Sequence, residues 1–262
     1  MPTLNFFVRQ RLLFAATLSI IVAISYGSII VTEYDVVKGF TSIPKAFSWL
    51  AENFIPDEAA MKRLPKILEK LQETVLISIS SATVASFFGL IVALLGSNTT
   101  RINQGFSVFA RGIATIFRNI DVSAWALILL FSFGQSSFTG YFALFFVTFG
   151  FMVRVLIETI DEVSSDSVEA LRATGASYSA IITQSVIPSC IPQMVSWILF
   201  MIETNIRSAT LVGILTGTGI GFSFDLYYKS MNYSAASLVI LVIVATVLVI
   251  EFFSNSVRRA VL

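Results

Sequence analysis

The chain has 262 residues, 56% of them hydrophobic and only 13% charged, with a net charge of +1, 24 Phe, one Cys and no His. Its mean hydropathy is +0.84. This composition excludes an ordinary soluble domain, which carries about 25% charged residues. It equally excludes an intrachain disulfide, histidine-based acid–base or metal chemistry and a strongly basic nucleic-acid-binding face, which leaves a polytopic membrane protein.

A membrane helix needs about 20 apolar residues to cross ~30 Å of hydrocarbon. Runs free of Asp, Glu, Lys and Arg occur at 12–32, 74–100, 122–153, 173–202 and 230–250. The first follows Arg9 and Arg11, as a signal peptide would. Its length and the lack of a persuasive A-x-A site favour a retained helix. The long third run contains Gly134-Gln135-Ser136-Ser137 and Gly140, a turn signal that splits it in two. Pro188 and Pro192 interrupt 173–202, and the chain is expected to turn there. Six spans are predicted: 12–32, 74–96, 115–134 (running through Asp121), 139–160, 193–214 and 232–254. With an even number of spans both termini share a side. Arg9, Arg11, Arg101, Arg111, Arg118, Arg154, Arg172, Arg258 and Arg259 fall there, which makes it the cytoplasm.

The segment 33–73 is the one soluble-looking stretch. Its Lys38, Lys45, Lys62, Arg63, Lys66 and Lys70 run against that orientation without reversing it. Pro44 and Pro56 are expected to break it into short pieces, and 57–72 reads as a polar helix leading into the second span. It holds too little apolar material for its own core and reads as a connector on the membrane surface. The expected division is therefore 1–73, an N-terminal helix and external connector, and 74–262, a transmembrane core with a loop at 161–192.

That loop is the most informative region. Ser165 or Asp166 suits a helix N-cap with Glu169 in the first turn, and Gly175 suits the stop. A second short helix, about 177–186, carries Tyr178, Ile181, Ile182 and Val186 at helical spacing. Two short helices make a compact protrusion fit for a groove in a partner.

Glu169-Ala170-Leu171, with Gly175 six residues after the Glu and Pro188 nineteen after it, resembles the E-A-A…G…P loop of ABC importer permeases. Glu169 to Ala176, including Arg172, is similar to the E-A-x-R-A-T-G-A form of the phosphonate-type permeases. Phe200 to Thr210, with Glu203, Asn205 and Arg207, and Gly213…Gly217-Thr218-Gly219-Ile220-Gly221 extend the likeness over about 115–260. The chain departs from the family at Arg118-Asn119-Ile120-Asp121, where the family often has Pro-Glu after the Arg.

The resemblance implies an all-α integral membrane protein with six transmembrane helices of the type I ABC importer kind and a cytoplasmic coupling helix. It implies a multi-pass permease of the bacterial inner membrane, not an enzyme, that moves phosphonate or a related phosphorus oxyanion. Glu169, Ala170, Leu171, Arg172, Gly175, Ala176 and Pro188 would couple it to an ABC ATPase dimer. A second permease subunit, identical or related, an external solute-binding protein and membrane lipid complete the partners, and no nucleic acid is among them. ATP and Mg would belong to the ATPase, since this chain has no G-x-x-x-x-G-K-[ST] stretch and is expected to bind no cofactor or metal.

In the fifth span Glu203 and Arg207 are four apart and share a face. An ionisable residue there costs about 2.5–3.5 kcal/mol on insertion scales. Either the two form a structural ion pair, or Arg207 and Asn205 line an anion route, with Ser208 and Thr210 beside them. Gly217, Gly219 and Gly221 allow close backbone approach to a ligand or to a neighbouring helix. An importer for another small solute and an ion-coupled secondary transporter remain the alternatives.

Overall fold

The computed structural model describes residues 6–261, whose regular structure is entirely helical. The chain divides into two compact units, one ending at Phe54 and the other starting at Ile55.

In the first unit, α1 (Phe6–Val31) is a 26-residue apolar helix with no buried residue. A turn with Glu33 at φ +52° leads to α2 (Val36–Asn53), capped by Asp35, whose carboxylate accepts the Lys38 N–H at 2.9 Å. Pro44 does not break α2, contrary to expectation. It sits inside the helix, where only the Phe40 carbonyl loses its partner. Phe40, Ile43 and Phe47 form an exposed apolar stripe along it.

The second unit opens with α3 (Glu58–Met61), whose Ala60 N–H is capped by Asp57. Next comes α4 (Leu64–Gly96), 33 residues long with a proline in its first turn. The polar lead-in and the second span are thus one helix of about 50 Å. α4 buries Ser78, Ala82, Ala85, Gly89, Ala93 and Gly96, a small-residue face that lets another helix approach closely. That helix is α7 (Ser137–Val163). A Cβ on Gly89 would stand 3.0 Å from the Met152 Cβ.

The third predicted span is not one straight helix. α5 (Gln104–Asn119) and α6 (Val122–Phe133) meet at 90°. Asp121, read as lying within a span, instead caps α6 by accepting the Ser123 N–H at 2.8 Å. Phe117 stacks on Trp125 across the bend, with ring centroids 5.3 Å apart. α6 has 12 residues, about 18 Å, too short to cross alone.

After α7 come α8 (Ser165–Ala173) and α9 (Tyr178–Ile181). A π-helical segment, Ile182–Val186, joins α9 to α10 (Ile187–Thr216). Pro188 and Pro192 therefore do not turn the chain. Pro188 lies in the first turn of α10 and Pro192 within it. In the widened turn before them the Ile187 N–H donates to the Ile182 carbonyl, and Pro188 takes a first-turn position that proline tolerates. Tyr178–Thr216 is a 39-residue rod, about 58 Å long, and so outreaches the hydrocarbon layer.

α11 (Gly219–Lys229), which the sequence does not announce, folds back on α10, and α12 (Tyr233–Val261) ends the chain. Five helices among the described residues are long and apolar enough to cross a membrane, and the bent pair makes a sixth.

Candidate functional site

The hairpin α8–α9 is welded to the bundle rather than hung from it. Val168, Ile181 and Val186 share one buried cluster with Leu156 and Ile160 of α7. Each such side chain contributes about 1.5–3 kcal/mol when fully buried. The predicted cap is displaced. Ser164 precedes α8, and its hydroxyl donates to the Ile160 carbonyl instead of capping. Asp166 lies in the first turn of α8 and Glu169 beyond it.

Gly175, at φ +80°, closes α8. Its N–H donates to the Arg172 carbonyl at 3.0 Å, and the Ala176 N–H reaches back to Leu171 at 3.1 Å. The second bond spans five residues, as in a Schellman stop. Ser167 and Ser185 hydroxyls meet at 2.7 Å and join α8 to the π segment. Glu169, Ala170, Arg172 and Gly175 are exposed, Leu171 and Ala176 half-buried. Pro188 is exposed on α10, away from this tip.

A second set of contacts, absent from the sequence reading, braces the hairpin. Asp161, near the end of α7, accepts from the Ser97 hydroxyl, from Asn98 at 3.2 Å and from the Thr99 N–H at 3.0 Å. Arg111 approaches it at 3.5 Å. Arg172 donates to the Thr99 carbonyl at 2.6 Å and the Tyr178 hydroxyl to the Thr100 carbonyl at 3.0 Å. The hydroxyl-rich turn after α4 is thus held between α7 and the hairpin. The one sequence signal was the run Ser97-Asn98-Thr99-Thr100, which names no partner.

Within the bundle, Arg207 Nη2 lies 3.1 Å from Glu203 Oε1, the geometry their spacing permits. Arg258 of α12 approaches the other carboxylate oxygen at 4.0 Å. One carboxylate therefore faces two guanidiniums, and the cluster carries a formal charge of +1. Glu203 is 11% exposed and Arg207 52%.

Asn205, a candidate for the anion route, packs between helices in this conformation. It is 3% exposed and points away from Glu203. Its amide nitrogen donates to Thr148 of α7 at 2.9 Å and to Ser81 of α4 at 3.3 Å. It pins three helices together through polar groups, as membrane bundles do. Ser208 and Thr210 are half-buried, and the Thr210 hydroxyl has no hydrogen-bond partner among the described residues.

The glycines likewise serve the backbone. Gly217, at φ +70°, ends α10, and Gly219 is at φ +59°. A Cβ on Gly221 would collide with the Thr210 carbonyl, and one on Gly213 with the Thr218 carbonyl. The cavity beside Gly213 and Gly219 holds about 10 Å³, at most one water. Nearby, the Ile220 N–H donates to Thr74 at 2.8 Å, and Ser137 donates to Glu73 at 2.6 Å. These bonds tie α4 to α11 and to α7.

A bundle of long apolar helices with an ionised interior and a rigid, exposed hairpin at one end defines a multi-pass membrane permease. The chain belongs to the family of binding-protein-dependent transport system inner membrane components, whose pattern matches residues 85–261. It is 25% identical over 243 residues to the phosphite transport system permease protein PtxC of Stutzerimonas stutzeri, covering 91% of this chain and 87% of that one. It is 24% identical over 190 residues to the phosphate-import permease protein PhnE of Mycolicibacterium smegmatis, covering 72% of this chain and 36% of that one. A chain of the inward-facing MetNI methionine ABC transporter superposes with a TM-score of 0.67 at 21% identity, covering 79% of this chain and 99% of that one. The fold is that of type I ABC importer permeases.

Proposed function

We propose that this chain is the membrane-spanning subunit of an ATP-driven importer of phosphonate, phosphite or a related phosphorus oxyanion. The substrate class rests on the names of its relatives, including PtxC and PhnE. The coupling role rests on one observation above all, an exposed Glu169–Gly175 tip fastened to the bundle core on one side and to the 97–101 turn on the other. A push on such a tip moves helices rather than flexing a loop.

In this reading an ATPase dimer grips the tips of two permease copies, or of this chain and a related one. It binds and hydrolyses ATP with Mg, and an external binding protein delivers the solute. The hairpin and both termini face the cytoplasm, following the arginine distribution. Closure of the ATPases draws the tips together and shifts the bundle between two access states. Arg207, neutralised in part by Glu203, is the route-facing cation. In this reading the nucleotide site and the hydrolytic groups belong to the ATPase.

The test is reconstitution with a candidate ABC ATPase and solute-binding protein. Uptake of phosphite or phosphonate should need ATP and both partners. Glu169→Lys should abolish it, while the variant still inserts and unfolds at the wild-type temperature. Undiminished uptake by Glu169→Lys contradicts the docking role. Ion-driven uptake by the chain alone contradicts the importer reading.

A further inference from the structure

Buried donors without partners are few in native structures, and each calls for an explanation. Four of the six found among the described residues cluster. Ser196 Oγ, Trp197 Nε1, and Nε and Nη2 of Arg258 are shielded from solvent and have no hydrogen-bond partner among the described residues, Nη2 lying 4.0 Å from Glu203. All three residues line one cavity between α10 and α12, with Gln193 and Phe200. Indole and guanidinium nitrogens only donate, so three of these four atoms call for an acceptor. The cavity measures about 190 Å³, the liquid volume of roughly six waters at about 30 Å³ each.

The charge balance points the same way. Arg258 and Arg207 share Glu203, which leaves the cluster with a net positive charge, and of the two guanidiniums Arg258 is the more buried. Glu251 lies on α12 two turns before Arg258, about 10 Å along the axis, and forms no ion pair with it among the described residues. Phe151 and Phe200 pack on Trp197 with ring centroids 5.8 and 6.0 Å away, which lowers the local dielectric and strengthens any charge pairing. The Arg258 side chain as a whole is 27% exposed, and Gln193 of the same cavity wall is exposed.

We propose that this cavity binds a phosphorus oxyanion, with Arg258 as its charge partner and Ser196, Trp197 and Gln193 as donors. A guanidinium suits such an anion because its fork can give two parallel hydrogen bonds. The choice of phosphorus among oxyanions rests on the importer reading above. The anion is either free solute or the phosphate of a lipid headgroup.

Trp197 itself supplies the probe. In the permease–ATPase complex carrying Trp49→Phe and Trp125→Phe in the permease, Trp197 reports from that chain, with the complex carrying Trp197→Phe as well serving as the blank. Phosphite, phosphate and methylphosphonate are titrated in micelles without anionic lipid, against chloride at equal ionic strength. A parallel arm adds phosphatidylglycerol in place of free anion.

Saturable emission change with a free phosphorus anion, weakened at least tenfold in Arg258→Gln and less in Arg258→Lys, supports a solute site. The same pattern confined to phosphatidylglycerol supports the site and assigns it to lipid. No saturable change in either arm, or an unaltered one in Arg258→Gln, overturns it. Thermal transitions of the variants guard against misfolding, with Ser196→Ala as the milder change. Uptake measured in parallel separates the two readings. Phosphite transport without a Trp197 response sinks only the site, and a response without transport sinks only the importer.

Discussion

Asp161→Asn is the sharpest single perturbation of the braced hairpin. The change keeps size and shape but removes the charge that collects the Ser97, Asn98 and Thr99 donors and Arg111. Hydrogen bonds to a charged group contribute about 1.5–3 kcal/mol. Asp161 is 25% exposed, so solvent screening brings the expected loss to about 1–2 kcal/mol. At about 2–4 °C per kcal/mol for a chain of this size, the transition should fall by roughly 2–8 °C. The larger effect is mechanical. Thr99 also receives Arg172 from the hairpin, so a loosened turn frees the tip on that side. In the reconstituted importer, ATP hydrolysis should continue while solute moved per ATP falls several-fold. Arg111→Gln should cost about as much, since beside the 3.5 Å pair, itself about 0–1 kcal/mol, it loses the Nε bond to the Gly96 carbonyl at 3.1 Å, about 0.5–1.5 kcal/mol. Wild-type stability and wild-type coupling in Asp161→Asn, measured together, would refute the bracing argument.

Gly175→Ala should lower the melting temperature by a few degrees, because an L side chain at φ +80° costs about 1–2 kcal/mol. Gly175→Asn should recover part of that loss. Gly221→Ala should sharply reduce folded protein recovered from membranes, since its methyl group meets the Thr210 carbonyl, a backbone atom that cannot rotate away. Overpacking of this kind costs about 1–3 kcal/mol or more. Arg207→Ala should lower transport or assembly. If Glu203→Gln with Arg207→Gln then restores uptake, the pair is structural and Arg207 does not read substrate charge. Asn205→Leu should destabilise the bundle by about 0.6–1.7 kcal/mol, the range for hydrogen bonds between membrane helices, as read by thermal unfolding in detergent.

The spans were legible where composition alone decides, because charge-free apolar runs have few other fates. Predicted 139–160 lies within α7, and 232–254 lies within α12 but for its first residue. Local rules failed where two signals competed. Asp121 interrupts an apolar stretch, and the same residue type is a strong N-cap. Here capping won, and the helix broke at right angles. Pro188 and Pro192 ordinarily end helices, yet here Pro188 opens α10 directly after a five-residue π segment and Pro192 lies within the helix, a continuation invisible to spacing rules. α11 begins with glycine, a poor helix former, and is held by its packing on α10. The Glu203–Arg207 pair was legible because four residues make one helical turn. Arg258, Asp161 and Thr99 were not, since nothing local couples residues that meet only after the bundle closes.

The two ends of α10 are tethered by different means. Its C-terminal half is locked to α11 where Gly213 and Gly221 let backbones touch, and its middle is stapled to α4 and α7 by Asn205. The stretch nearest the hairpin has the π segment and two imino acids that withhold N–H groups from the ladder, yet Val186 and Cys190 bury it in the cluster that holds Leu156 and Ile160. Side-chain packing there stands in for the missing backbone bonds. The rod behaves as an oar gripped along its whole shaft, so torque delivered at the hairpin is carried through to the far blade.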